Sequence, residues 1–569
     1  MSESKPQLSP VEGIKSRSNF LRGTLLQSLE DSATGALAED DTQLSKFHGF
    51  YQQDDRDHRE ERRRQMLEPD HQFMIRARVP GGICTAEQWL AMDEIANTWA
   101  NGTIRLTTRQ AFQLHGVIKR NLKATIRGIN DSLLDTIAAC GDVNRNVMCT
   151  PLPEASDIHR QVCDDARAVS RHLTPHTTAY HEIWLDKQRV AGSDGQVVPD
   201  EEPIYGATYL PRKFKMSFAI PPRNDVDVYA HDLNFIAIVE KGRLVGYNVA
   251  VGGGMGATHG DPATYPRLAS VMGFCTPEQV IEVTEAIVGI QRDFGDRTER
   301  KHARFKYTVE DHGLDWLHQQ LEARTGFRLA EKRPFEFTHN GDQLGWQQTS
   351  DGQWHLGLFI ENGRVADRDE ASQLTGLREI AQILKGEFRL TPNQNVVISN
   401  VAEDDRAAID QLVSQHGLDS WNRRTPLRLH SMACVGFPTC GLSMAESERY
   451  LPELLGKVES LMAGHDLSGQ AITIRMTGCP NGCARPYLAE IGLVGKGPGL
   501  YNLHLGAAFN GSRLNTLYRE SVHEEDILRI LDELFSKYAD TRQAEESFGD
   551  FLHRSGVVSN TGDYSGESA

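Results

Sequence analysis

GTIRLTTRQAFQLHGV at Gly102–Val117 and GEFRLTPNQNVVISNV at Gly386–Val401 are two versions of one motif. Six of sixteen positions are identical, each pair 284 residues apart: Gly102/Gly386, Arg105/Arg389, Leu106/Leu390, Thr107/Thr391, Gln110/Gln394 and Val117/Val401. A match separated by half the chain points to an internal duplication. Each copy follows a helical pattern. Thr85 and Gln88 form a capping box ahead of Trp89, Leu90, Met92, Ile95 and Ala96, stopping at Asn101-Gly102. Leu377, Ile380, Ile383 and Leu384 repeat that spacing before Lys385-Gly386. The motif itself reads as a β stretch. A helix feeding a β stretch, twice, predicts an α+β protein with two related halves.

The correspondence extends downstream. NVMC, ending at Cys149, falls near SMAC, ending at Cys434, and that offset sets Cys440 against Ala155. Lys215-Met216-Ser217 resembles Arg475-Met476-Thr477, and Tyr247-Asn248 resembles Tyr501-Asn502. Two more helices are expected. Thr276-Pro277 starts one, with Val280, Val283, Ile287, Ile290 and Phe294 on one face and Gly295 closing it. Ser521 with Glu524 caps another carrying Ile527, Leu528, Leu531, Leu534 and Phe535. Both read as core-covering elements.

The chain has 569 residues, enough for two to four domains, with 39% apolar and 24% charged residues. It contains no run of eighteen apolar residues and begins MSESKPQLSPVEG, without a basic start and hydrophobic core, so a cytosolic protein is expected. A net charge of −17 argues against nucleic acid as partner. Basic residues gathered in one pocket of such a chain would serve a small anion. The run DDRDHREERRR at Asp54–Arg64 is either an exposed helix or a docking arm. Gly252-Gly253-Gly254-Met255-Gly256-Ala257 fits a dinucleotide pattern, but Gly260, Pro262 and Pro266 break the helix such a site needs.

Four of the nine cysteines lie within fifty residues, in SMACVGFPTCGL and MTGCPNGCAR: C-x5-C, 38 residues, C-x3-C. Four thiolates in two pairs suit zinc or an iron–sulfur cluster. Zinc knuckles favour C-x2-C, whereas the four corners of a cubane tolerate wider spacing. Spacing favours the cluster over zinc and over unliganded thiols. Gly478, Asn481 and Gly482 let backbone amides approach the sulfurs. LPRKFK places Lys213 and Lys215 two apart, on one face if extended. Alone, that pair reads as a solvated edge. Arg76, Arg105, Arg109 and Arg145 are equally ambiguous by themselves.

Taken together, these motifs resemble the sulfite and nitrite reductase hemoprotein family. The resemblance covers nearly the whole chain: FHGFYQQDDRD at 47–57, both RLT motifs, NRNVMC, LPRKFK and both cysteine motifs. Gly441 departs from it, standing where a proline is common. The resemblance implies a pseudo-twofold duplicated fold, with ferredoxin-like half-domains at 67–138 and 339–421. Two siroheme-binding α/β domains would follow at 139–338 and 422–569, after a polar, partner-docking arm at 1–66. It implies a [4Fe–4S] cluster on Cys434, Cys440, Cys479 and Cys483, with Cys483 bridging to the siroheme. Arg76, Arg145, Lys213 and Lys215 would hold sulfite; Arg105, Arg109, His115 and Asn481 would contact cofactor. The implied activity is six-electron reduction of sulfite to sulfide in sulfate assimilation. Lys215 favours sulfite, since nitrite-type relatives usually keep only the first lysine of K-x-K. With no flavin or nicotinamide signature of its own, the chain would form a hetero-oligomer with a flavoprotein carrying FAD, FMN and the NADPH site.

Overall fold

A computed structural model describes residues 7–153, 156–189, 200–368 and 371–558. Four five-stranded sheets come as two matched pairs. In the first pair, one sheet runs Phe50–Asp54, His71–Ala77, Phe112–Val117, Ile104–Leu106 and Arg364–Val365. The other runs Gly345–Gln348, Trp354–Leu358, Val396–Val401, Glu387–Leu390 and Ile83–Thr85. Each therefore ends on a strand taken from the other half: Arg364 pairs with Arg105, and Arg389 with Ile83. This exchange leaves neither half with an open edge on that side. The two motif helices, Ala86–Trp99 and Gln373–Ile383, pack together over the exchange. Trp89, on the first of them, stacks on Phe388 of the second half with ring centroids 4.5 Å apart. The expected capping box is present: Gln88 N donates to Thr85 Oγ1 (3.2 Å) and Thr85 N to Gln88 Oε1 (3.0 Å).

The second pair carries the site. One sheet runs Ser270–Cys275, Arg243–Val251, Leu233–Glu240, Met216–Ala219 and Met148–Cys149. Its mate runs Thr516–Val522, Leu500–Leu505, Ile491–Gly497, Ile474–Thr477 and Met432–Ala433. Both pair parallel over their last three strands and antiparallel over the rest. Strand register fixes which residues are equivalent. Gln110 and Gln394 are both left-handed (φ 49° and 70°), and their Nε2 groups donate to the carbonyls of Cys149 and Ala433. The counterpart of Cys149 is thus Ala433, one residue before Cys434. Ser217 and Arg475 occupy the same register, so Lys215 corresponds to Thr473, two residues from the sequence match. Tyr247 and Tyr501 do correspond. Ala155 lies outside the described residues.

Two expectations are corrected. The stretch assigned to a polar arm is packed into the protein: Ile14, Leu21, Leu25, Leu37, Leu44, Phe47 and Phe50 are buried in the main core, and Phe50–Asp54 is a sheet strand. These apolar residues are too widely spaced to show a period in sequence. Only Arg59–Arg64, with no buried residue, is an exposed helix. Ser521 does not cap the helix Glu524–Thr541; it lies in Thr516–Val522 at φ 55°, its N–H donating to Asn502 Oδ1 (3.1 Å). His523 starts that helix, and Glu524, Glu525 and Asp526 complement its N-terminal dipole. The helix Val280–Phe294 ends at Gly295 as expected, behind a Thr276/Gln279 capping box.

Candidate cofactor and substrate site

The two cysteine motifs leave the ends of adjacent parallel strands, Met432–Ala433 and Ile474–Thr477, which brings four thiols to one sheet edge. Gly478 N donates to Cys434 Sγ (3.3 Å) and Asn481 Nδ2 approaches Cys479 Sγ (3.6 Å). Glycine is required at 478, where a Cβ would lie 1.9 Å from Ser443 Oγ. At Gly482 (φ 64°) a Cβ would meet the Met255 carbonyl at 2.9 Å. That contact gives the 252–257 loop its role: it packs on the second cysteine turn, with Ala257 N donating to the Pro480 carbonyl (2.9 Å). The first turn is clamped by Arg56, whose guanidinium lies 4.3 Å over Phe437 and donates to the Ser443 carbonyl.

The thiols sense one another. Burial, then the charge of the neighbouring cysteines, pushes Cys440 and Cys479 up to about 12, and Cys434 is raised by burial and by Cys483. Four thiolates so placed require a cationic centre to ionise together. Among the described residues no three His, Cys, Asp or Glu side chains gather around a single ion position. One tetrahedral zinc would draw all four sulfurs onto one point, whereas a cubane spreads them over four irons. The donor set fits the cluster.

Cys483 is the exposed member of the four. Thr108 Oγ1 of the first RLT turn donates to its carbonyl (2.9 Å), which sets Cys483 against the first half, and the thiolate's charge acts to raise Arg76, Lys213 and Lys215 there. Arg76, on His71–Ala77, donates to Gln113 Oε1 (3.0 Å) and Cys140 Sγ (3.1 Å). Arg145 turns back on its own loop, donating to the carbonyls of Gly141 (2.9 Å) and Ala139 (3.2 Å). Arg76 reaches the same Ala139 carbonyl at 3.5 Å, which brings the two guanidinium groups together. Lys213 and Lys215 flank Phe214 just before Met216–Ala219. Burial, then Arg212 and Arg304, lowers Lys213 to about 7; burial and Lys213 take Lys215 well below its ordinary value. Asp232 supports this pair from beneath, accepting from Lys215 N (2.9 Å) and Arg304 Nη2 (2.9 Å).

Arg109 Nη2 donates to the Asn146 and Met216 carbonyls, while its buried Nε and Nη1 have no partner. Burial and the nearby Arg145 lower it to about 9, so it stays charged at neutral pH. Arg76 Nε and His115 Nδ1 are likewise buried and unpartnered. A buried donor left unpaired costs about 1–3 kcal/mol, and several in one cationic region fit a polyanionic cofactor such as siroheme. Arg105 is also engaged within the protein: its Nη1 pairs with Glu448 (2.7 Å), a carboxylate it shares with Arg364, and its Nη2 donates to the Ala433 carbonyl (2.9 Å). Sequence reasoning also missed Tyr51, a phenol from the supposed arm on which the charges of Arg145 and Arg76 act, and Gln113, which links Arg76 to His115 Nε2 (2.8 Å). Both lie inside quoted motifs, FHGFYQQDDRD and the first RLT copy, which was the available signal.

Comparison with known proteins agrees with this architecture. Residues 64–132 and 346–416 match the nitrite/sulfite reductase ferredoxin-like half domain, one copy per half. Residues 164–329 match the nitrite and sulphite reductase 4Fe-4S domain. That match falls on the half without the clustered cysteines, and the half that has them shares its sheet topology. The Mycobacterium tuberculosis NirA protein has the same fold, with a TM-score of 0.77 and 24% identity over 96% of both chains. The chain belongs to the nitrite and sulphite reductase family. Within that family it is 59% identical over 558 residues, 98% of each chain, to the sulfite reductase [NADPH] hemoprotein beta-component of Myxococcus xanthus (strain DK1622). The protein of that name from Xanthomonas campestris pv. campestris (strain B100) is 58% identical, with 96% of each chain covered.

Proposed function

We propose that this chain is the catalytic hemoprotein of an assimilatory sulfite reductase, reducing sulfite to sulfide with six electrons. Cys434, Cys440, Cys479 and Cys483 would hold a [4Fe–4S] cluster, with Cys483 the thiolate that would couple it to siroheme. The observation that carries this reading is the gathering of four cations: Arg76 and Arg145 share the Ala139 carbonyl (3.5 and 3.2 Å), and Arg145 N donates to the carbonyl of Phe214 (2.9 Å), between Lys213 and Lys215. Siroheme, when bound, would supply the redox chemistry of the six-electron reduction. This chain's side chains do the rest. Arg76 and Arg145, permanently charged, clamp the oxygens of the dianion. Each of the three oxygens leaves as water after gaining two protons. Lys213, lowered to about 7, is matched to donate them at neutral pH, with Lys215 beside it in the same basic segment. Arg109, with its two free donors, and His115 Nδ1 face cofactor carboxylates.

Electrons come from NADPH through a flavoprotein subunit carrying FAD and FMN, docked in the cytoplasm beside the exposed Arg59–Arg64 helix and the Cys440 turn. The visible spectrum of the purified protein tests the core of this reading: siroheme bands over a broad iron–sulfur shoulder are expected, and a colourless zinc protein would refute it. Sulfide production with flavoprotein plus NADPH should exceed that with reduced ferredoxin; the reverse order would reassign the donor.

A further inference from the structure

The turn bearing Cys479 and Cys483 ends at Arg485, whose backbone is left-handed (φ 54°) at the start of the short turn Pro486–Leu488. Its counterpart in the first half is Asp227, also left-handed (φ 48°), at the start of Val228–Ala230. The following strands, Leu233–Glu240 and Ile491–Gly497, are in the same register, which secures the equivalence. The two counterparts touch. Asp227 accepts from Arg485 Nε and from Arg475 Nη1 (2.6 Å). Asp227 is 1% exposed, Arg475 2% and Arg485 4%.

The rest of the Arg485 guanidinium reaches a second pair of equivalents. Nη1 donates to the Thr108 carbonyl (3.1 Å) and Nη2 to the Pro392 carbonyl (2.8 Å). Thr108 and Pro392 hold the same position in the two RLT turns. Thr108 closes the circuit, its hydroxyl donating to the Cys483 carbonyl (2.9 Å). An arginine bonded to the same carbonyl of both halves sits at their pseudo-twofold axis. On a true axis it would face its own copy, and two buried guanidinium groups would repel. The Asp227/Arg485 pair removes that repulsion and makes the halves inequivalent where the cysteine turn crosses between them. A lysine could not serve three acceptors in a plane, whereas the guanidinium fork does.

We infer that Arg485, with Asp227 as its counter-ion and Thr108 as second support, is the positioning residue for the Cys483 sulfur, pinning its turn to both RLT motifs. This rests on Cys483 being the shared ligand. The test compares holoenzymes of Arg485→Lys, Thr108→Val and the control Arg475→Lys, which also pairs with Asp227 but is bonded to neither RLT turn. Three quantities are read: the exchange-coupled haem–cluster signal in electron paramagnetic resonance, iron release to a chelator, and melting temperature. Arg485→Lys should lose part of the coupled signal and release iron about 10-fold faster, with Thr108→Val showing the same signature more weakly. Arg475→Lys should lower the melting temperature without changing the signal. Unchanged coupling in Thr108→Val and Arg485→Lys, or an equal spectral change in Arg475→Lys, would overturn the inference. If Arg485→Lys does not accumulate, Thr108→Val decides alone. An uncoupled spectrum in the parent protein would instead refute the shared-ligand reading on which the inference stands.

Discussion

Glu448→Gln separates the two tasks open to Arg105. Glu448 accepts from Arg105 Nη1 (2.7 Å), Arg364 Nε (2.7 Å) and Arg364 Nη2 (3.1 Å). It thus ties the first half's RLT strand, the exchanged strand of the second half and the segment after the first cysteine turn. Arg105 is 3% exposed and Glu448 12%. Removing one partner of a buried pair costs about 3–5 kcal/mol, because the other charge is left uncompensated. The slight exposure of Glu448 puts the expected loss near the lower end, about 3 kcal/mol. In an Arg105→Met background only the more exposed Arg364 remains, and it also donates to Thr103 Oγ1 (3.0 Å). There the same substitution should cost about 1 kcal/mol, leaving a coupling of about 2 kcal/mol between Arg105 and Glu448. The assay is urea unfolding of the cofactor-free proteins by far-ultraviolet circular dichroism, at two salt concentrations, since a pair this buried is little screened. A loss below about 0.5 kcal/mol for Glu448→Gln, with siroheme content falling in Arg105→Met alone, would refute the staple and restore Arg105 as a cofactor ligand.

Three further outcomes follow from the same geometry. Lys213 is a cation below about 7 and neutral above it, so kcat/KM for sulfite should carry an alkaline limb near pH 7. Lys213→Met should flatten that limb and cut turnover about 100-fold, and a profile identical to the parent's would exclude the lysine as donor. Glu490 is fully buried, accepts from Thr473 N (2.9 Å) and Gly549 N (2.8 Å), and is raised by burial to about 7. The folded state keeps this proton while the unfolded chain loses it near pH 4.5, so stability falls as pH rises from about 4.5 to 7, by at most about 3 kcal/mol, then levels. Glu490→Gln should abolish that slope in thermal melts across the interval, and an unchanged slope would place its origin elsewhere. Arg56→Ala removes the cover over Phe437, a contact worth about 1 kcal/mol, and should hasten iron loss to a chelator without altering siroheme content.

What was legible in the sequence was local. Thr85/Gln88 and Thr276-Pro277 announce helix starts because a capping box and a first-turn proline both act within one turn. The RLT repeat announces a duplication because its tight turn needs Gln110 and Gln394 in the same left-handed conformation, with the same side-chain bond. Ser521/Glu524 fits the same capping-box pattern and fails because a strand claims Ser521; the other failures depended on distance along the chain. The halves correspond at an offset of 284 through the RLT strands, but strand pairing puts Ser217 with Arg475 and Tyr247 with Tyr501. Loops of unequal length change the offset between the halves, so matching NVMC to SMAC and Lys215-Met216-Ser217 to Arg475-Met476-Thr477 by residue type alone misplaces Cys149 by one residue and Lys215 by two. The exchanged strands Ile83–Thr85 and Arg364–Val365 are too short to signal their partners, and those partners lie in the other half. The arginines show the limit most sharply. Arg105 and Arg109 sit four apart in one motif, yet Glu448 pairs with the first while the second keeps two unpaired donors. The carboxylate that decides between them lies more than 300 residues away in sequence. Residue type fixed the chemistry available at this site, and only the tertiary partners determined which cations were left to use it.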